Sequence, residues 1–243
     1  MRYFLTKTIR RETFNPGFLG FFINPYFFIR RGLYKGIEKN ANALSGTLLD
    51  FGCGSKPYRK LFNVNEYVGL DIKESGNHKT NKEVDVYYDG ITIPFDSHVF
   101  DSIFSSEVFE HVFNLDEVMK EINRVCKMEG KLLITVPFVW DEHEIPYDFG
   151  RYTSYGIKHV LEKNGFEVLN LEKSTTFVQT IFQLWNSYLF QNVLSNKILK
   201  AIFTPILLPP FTLLGIILNV ILPKNKDLYH NNIVLAQKVN DIS

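Results

Sequence analysis

The sequence predicts an α/β fold in which a parallel sheet is covered by helices, and three observations predict it. From Thr47 to Lys173, strand-like apolar runs alternate with segments of helical periodicity. The first run, LLDF, stops abruptly at the glycine turn Gly52-Cys53-Gly54. The second, YVGLD, ends on an acid, Asp71, at about the twenty-residue spacing at which a nucleotide-binding sheet places a ribose acceptor.

In chain order the predicted strands are Thr47 to Phe51, Tyr67 to Asp71, Asp85 to Tyr88, Ser102 to Ser105, Lys131 to Pro137 and Phe166 to Leu171, with Asn232 to Lys238 closing the chain. Between the fourth and fifth, Asn114 and Glu117 have the spacing of a capping box. Leu115, Val118, Met119, Ile122, Val125 and Cys126 then form one apolar helix face that ends before Gly130. A second helix begins near Thr153 or Ser154, buries Ile157, Val160 and Leu161, and stops at Gly165. The alternation marks residues 46–175 and 229–240 as one domain, preceded by a basic, aromatic segment with a helix at 1–45 and interrupted by an apolar helical insertion at 176–228.

The 243 residues, 45% of them hydrophobic, suffice for one sizeable core. Formal net charge is +1, so the whole-chain signature of a nucleic-acid binder is missing. Cys53 and Cys126 make neither a disulfide framework nor a paired zinc signature, which suits a reducing cytoplasm. The uncharged aromatic stretch Thr13 to Ile29 is interrupted by Asn15, Pro16, Gly17, Asn24 and Pro25; it is expected to be retained and not to serve as a signal-peptide core.

A glycine turn between a strand and its helix lets backbone N–H groups and a helix N-terminus approach a bound nucleotide or carboxylate. The dinucleotide fingerprint fails here, because its third glycine position is Pro57. The constellation continues with Asp89 and Gly90 after the third strand, the segment IPFDSHVFD, and Ser106, Glu107, Glu110 and His111 after the fourth. With these residues, the stretch from about Thr47 to Lys173 resembles the class I S-adenosylmethionine-dependent methyltransferases, in the branch with a D-x-G-C-G turn and an E-H pair. The resemblance implies a Rossmann-like, seven-stranded, mostly parallel sheet with helices on both faces and an antiparallel last strand. It implies S-adenosyl-L-methionine as cofactor, with Asp50, Gly52, Cys53 and Gly54 at its methionine end, Asp71 on the ribose, Asp89 and Gly90 at the adenine, and Ser106, Glu107 and His111 beside the methionine portion. The family's third turn glycine is replaced by Lys56.

An acceptor would be handled after the fifth strand, where VPFVWDEHEIPYDFGRYT is dense in His, acids, Arg and aromatic residues. His143 is the candidate base, Asp148 or Glu144 its orienting acid, and Arg151 an anion holder, with Trp140, Tyr147, Phe149 and Tyr152 as pocket floor. A lid held by a structural Asp148–Arg151 pair is the alternative. No metal site is predicted, since Asp141, His143, Glu144 and Asp148 match no ligand spacing. The loop resembles methyltransferases of bacterial surface-polysaccharide loci, which implies a small or lipid-linked acceptor such as a saccharide. A quinone or lipid precursor, or a non-catalytic membrane scaffold, are the alternatives.

Ala201 to Pro223 is uncharged and flanked by Lys197, Lys200, Lys224 and Lys226. Pro205, Pro209 and Pro210 are expected to divide it into Ile206 to Leu208 and Phe211 to Leu222. That pattern predicts a shallow hairpin or in-plane helix on the inner face of the cytoplasmic membrane, aided by the aromatic stretch between Arg10, Arg11, Arg30 and Arg31. A homodimer interface is the rival use of the same surface.

Overall fold

The computed structural model describes residues 2–73 and 82–242, with side chains from residue 8 onward. The strands β1 (Thr47–Phe51), β2 (Glu66–Ile72), β3 (Val86–Tyr88), β4 (Phe100–Ser106), β5 (Cys126–Pro137), β6 (Phe166–Lys173) and β7 (Asn231–Lys238) form one sheet in the order β3-β2-β1-β4-β5-β7-β6. The first five run parallel, with Leu49 of β1 opposite Val68 on one side and Ile103 on the other. β7 is antiparallel to β6: Ser174, just past the end of β6, donates to Asn231 at the start of β7, and Val239, beyond β7, donates to Gly165 before β6. The Rossmann-like sheet with a reversed last strand is therefore as expected.

The helices are α1 (Arg2–Phe14), α2 (Phe18–Ile23), α3 (Phe27–Ala41), α4 (Leu115–Val125), α5 (Ser154–Lys163), α6 (Phe177–Tyr188) and α7 (Lys197–Ile221). Strand alternation divides the core between two faces. Leu49, Phe51, Ile103, Ile134 and Val136 share a cluster with Val118, Met119 and Ile122 of α4 and with Ile157 and Leu161 of α5. On the other face Ile233 packs so closely on α3 that a Cβ at Gly36 would lie 1.9 Å from its Cδ1.

Four local expectations are corrected. Asn114 caps α4 without a side-chain bond to its backbone and instead donates to the Glu117 carboxylate at 2.7 Å. The capping box lies at Thr176 and Gln179, opening α6. β5 begins at Cys126, so Gly130 is inside the strand; a Cβ there would meet Cys126 Sγ at 2.6 Å, which is why glycine is needed. No α-helix follows the glycine turn: the connection to β2 holds only a 3-10 turn, Arg59–Leu61, and anchors itself through buried Tyr58 and Phe62 against Phe104. Finally, α7 runs unbroken through Pro205, Pro209 and Pro210.

The chain divides into two compact units, Gly36–Glu172 with Asn232–Ser243, and Met1–Lys35 with Lys173–Asn231. The second unit is helical and unusual in what it buries. α6 turns Thr180, Gln183, Asn186 and Ser187 inward and leaves Phe177, Ile181, Trp185 and Tyr188 exposed. α7 buries Thr204, Leu208, Thr212 and Gly215 and exposes Ile202, Ile206, Leu213, Ile217, Val220 and Ile221. The inward polar groups pair: Asn186 donates to Thr212 at 2.9 Å, and Gln183 accepts from the Phe28 N–H and donates to the Pro25 carbonyl. Phe177 N donates to Asn225 O at 2.9 Å, so the α6–α7 hairpin closes at its base.

Candidate active site

In an open α/β sheet, ligands bind beyond the carboxyl ends of the strands at the point where strand order reverses, which here lies between β1 and β4. Two groups of candidate residues end there. The first is the glycine turn. Gly52 and Gly54 have φ of +75° and +50°, and Lys56, where a third glycine was expected, holds φ +48°. Lys56 keeps that conformation while its ammonium reaches Asp85. A Cβ at Gly52 would lie 2.4 Å from Val108, whereas one at Gly54 meets nothing within 4 Å.

The turn does not offer the N–H donors expected of it. Gly52 N and Cys53 N both donate to Leu70 O, at 2.8 and 3.0 Å, and Gly54 N donates to Asp71 Oδ2 at 3.0 Å. With no helix N-terminus behind it, the turn presents bare Cα surface for close approach and has no anion cradle. Asp50 is buried and accepts from the Tyr67 hydroxyl; burial pushes its carboxyl up to about 7 despite that bond. Burial likewise pushes the Cys53 thiol up to about 12, leaving it a neutral packing group. Asp71 stands at the end of β2, where its Oδ1 accepts from Ile72 N and pairs with Lys82 at 3.0 Å. Asp89 is exposed and accepts from the N–H groups of Ile91 and Thr92, holding its own turn beside Gly90 at φ +88°. Those bonds hold its carboxyl below the usual range.

The second group lies past β4 and β5. Ser106 Oγ is 2.9 Å from Thr135 Oγ1, which donates to Glu107 at 2.7 Å, while Glu107 N donates to Thr135 O with φ +56°. The 3-10 turn Phe109–His111 then places Glu110 and His111. The Glu110 carbonyl accepts from Phe149 N and Gly150 N, which draws the β5–α5 loop over this turn. As a result His111 and His143, distant in sequence, stand with ring centroids 4.8 Å apart.

Arg151 does not reach outward. It makes a bidentate pair with Asp148 at 2.6 and 2.7 Å, the ion pair named in the alternative reading, and also donates to the Asp141 and Gly150 carbonyls. The guanidinium holds Asp148 down at about 2. Asp148 also accepts from His143 N and lies 3.4 Å from His143 Nδ1, whereas no such contact ties Glu144 to the ring among the described residues. Tyr147 and Phe149, expected as pocket floor, are about half exposed at 49% and 47%. The sequence carries no signal for Tyr67 or Lys82, whereas Glu110 is visible there as the acid of the E-H pair with His111.

Residues 49–134 match a family described as the methyltransferase domain. This segment is similar to that domain. It holds both glycines, Asp71, Asp89 and the Glu110–His111 pair, while His143 and Arg151 lie beyond the match. An uncharacterized protein of Methanocaldococcus jannaschii is 32% identical over 130 residues, covering 52% of this chain and 46% of its own, so the chain spans about half the length of that relative. Among solved structures, a phosphoethanolamine N-methyltransferase of Haemonchus contortus in complex with S-adenosyl-L-methionine superposes with TM-score 0.55 at 16% identity, over 95% of this chain and 59% of its own. A putative methyltransferase of Bacillus halodurans gives TM-score 0.53 at 18% identity, over 85% and 98%. At such identities these two structures establish the fold.

Proposed function

We propose that the chain transfers the methyl group of S-adenosylmethionine to an oxygen of a small or lipid-linked acceptor, with a saccharide hydroxyl or carboxylate favoured. The observation that supports this most is Asp71, set at the end of β2 against the Gly54 N–H, inside the segment that matches the methyltransferase domain. When bound, S-adenosylmethionine would supply a sulfonium methyl for in-line displacement by the acceptor oxygen, with S-adenosylhomocysteine as the leaving group.

The chain's own part is to hold and to align. Asp71 would accept from the ribose hydroxyls in place of Lys82, and Gly54, with open space where a Cβ would stand, would let the methionine end approach. Asp89 and Gly90 would bound the adenine. Ser106 and Glu107, fixed through Thr135, would border the methionine portion. The proton of a hydroxyl acceptor would be lost at the cluster of His111 and His143. Calorimetry with S-adenosylmethionine and S-adenosylhomocysteine tests the assignment; absence of heat and of thermal shift with both would overturn it.

The acceptor's lipid link is supported by the inverted hairpin. Small and polar residues facing inward, with Ile, Leu and Trp outward, is how helices pack where the surroundings are hydrocarbon. α7 is also the one helix among the described residues long and apolar enough to cross a bilayer, by length and composition only. The proposed attachment is one-sided, on the cytoplasmic face, because the closed base at Phe177 and Asn225 would return the chain to the side it left. Flotation with anionic liposomes decides: a protein that stays soluble, and loses a dimer when 203–222 is deleted, has a protein interface there instead.

A further inference from the structure

We infer that Glu110, His111 and His143 form a binding site for one divalent metal ion of the zinc class. One ligand atom from each of these three side chains lies within 4.8 Å of the others. That spread needs only a modest inward movement of the loop carrying His143 to match ligand–metal bonds of about 2.0 to 2.2 Å.

Two independent features point to a ligand. The first is Glu110 itself. It is fully buried, and neither carboxylate oxygen has a hydrogen-bond partner among the described residues. A buried acid with no partner is costly in any protonation state. A cation in reach would relieve that cost. The clamp residue Arg151 does not serve, since its guanidinium is committed to Asp148.

The second is the orientation of both imidazoles. His111 Nδ1 lies 2.5 Å from the Tyr147 carbonyl oxygen, and His143 Nδ1 lies 3.2 Å from the Asp141 carbonyl and 3.4 Å from the Asp148 carboxylate. Carbonyl oxygens only accept, so each Nδ1 carries a proton, and Nε2 is the nitrogen whose lone pair is left for a metal in the neutral ring. A histidine whose Nδ1–H is held by a carbonyl or carboxylate while Nε2 stays free is the arrangement that supports a metal-ligating ring. His111 Nε2 is already turned toward Glu110, 3.9 Å from its Oε1.

Two imidazoles and one carboxylate suit zinc, iron(II) or manganese(II) better than magnesium or calcium, which prefer oxygen shells. Three protein ligands leave coordination positions open. On the methyl-transfer reading, on which this clause alone rests, an acceptor oxygen bound there would become more acidic without a protein base. The ligand set was hidden from loop spacing because two of its members come from the turn after β4.

The test uses the full chain, stripped with chelator and titrated with zinc(II), and with cobalt(II) for its visible absorption. Wild type should take up one equivalent, with cobalt bands of nitrogen and oxygen ligation. Glu110→Gln and His143→Ala should each weaken uptake by more than about 100-fold, beyond the 10- to 100-fold typical of losing only an outer-shell partner. His159→Ala, on exposed surface, should leave uptake unchanged. His143→Ala alters an exposed loop, so it keeps the test open if Glu110→Gln folds poorly. Substoichiometric uptake by wild type, or equal uptake by wild type and both ligand variants, overturns the inference. Calorimetry of S-adenosylmethionine on the chelated protein separates the two readings: cofactor heat without metal uptake removes the metal site alone, and uptake without cofactor heat removes the methyltransferase reading alone.

Discussion

In the sheet unit the side chains withdrawn from the surface are Leu49, Ile103, Ile134 and Val234, whereas α6 and α7 withdraw Thr180, Gln183, Asn186 and Thr212 and leave Ile181, Trp185, Ile206 and Ile217 outside. One unit follows the rule for a chain folded in water, where apolar area is buried at roughly 25 cal/mol per Å². The α6–α7 hairpin instead shows the inverted pattern on which the proposed membrane attachment rests, with packing of small residues and hydrogen bonds between polar ones on its inner side. The difference teaches that hydrophobic content alone does not identify a core. What matters is which face the neighbouring element covers.

The largest expected effect contrasts the two patterns directly. Ile134→Ala, in β5, should lower unfolding free energy by about 3 kcal/mol, in the range for a large-to-small change in a packed core. Ile217→Ala, on the outer face of α7, should change it by less than about 0.5 kcal/mol in water. Chemical denaturation of both variants checks this, and equal losses would mean that α7 is buried as an ordinary core helix. The triple change Ile206→Ser, Ile217→Ser and Val220→Ser should abolish liposome flotation while leaving cofactor heat unchanged.

Next in size is Asp71→Ala, which should weaken cofactor binding by about 1.5 to 3 kcal/mol through lost hydrogen bonds to a charged acceptor. Asn219→Ala, in α7, should leave that affinity alone. Calorimetry on the two variants places the cofactor in the sheet unit only if the first loses affinity and the second does not.

The sheet unit was also the legible one. Strands β1 to β4 were placed within two residues because period-two alternation and glycine or acid punctuation agree there. Where signals conflicted, the reading slipped. Cys126 continues the apolar phase of α4 and was assigned to it, although its residue already pairs with Phe100 in the sheet. The glycine turn suggested a following helix, yet Tyr58 and Phe62 anchor that connection through burial without helical period. In the helical unit, apolar positions 177, 181, 185 and 188 recur at helical spacing, yet they form the outer face of α6. Prolines were read as breaks in α7. Pro209 lacks the N–H that would bond the carbonyl of Pro205, and such losses are tolerated where neighbouring helices hold the segment. The meeting of His111 with His143 was not legible, because it depends on the Glu110 carbonyl binding Phe149 and Gly150.

Acid titration also separates the α6–α7 hairpin from the sheet unit, since α6 and α7 contain no acid or histidine while Asp50 and Glu110 are buried in the sheet unit. Burial raises the Asp50 pKa from an ordinary 3.8 to about 7. Between these values the folded state keeps a proton that the unfolded state has released. Stability therefore falls as pH rises through that window, by at most about 1.4 kcal/mol per pH unit for this group, and levels off above it. Glu110 adds a slope of the same sign. Asp50→Asn should flatten the dependence of Tm on pH across the window, and a steep fall unchanged in the variant would assign the slope to other groups.

The smallest effect compares one buried asparagine from each unit. Asn123 donates to the Asn164 carbonyl at 3.0 Å within the sheet unit, and Asn186 donates to Thr212 at 2.9 Å between α6 and α7. Removing Asn123 leaves a carbonyl without its donor in a packed interior closed to water, which costs about 1 to 3 kcal/mol. For Asn186, if the unfolded reference is a helix pair already in lipid, polar groups find other partners and the loss averages about 0.6 kcal/mol. The double-mutant cycle of Asn186→Ala with Thr212→Val, measured in lipid vesicles, should return a coupling of that smaller size. A coupling as large as the cost of Asn123→Ala in buffer would show that the hairpin interior behaves as a water-excluded protein core, and the contrast between the two units would then rest on outward-facing residues alone.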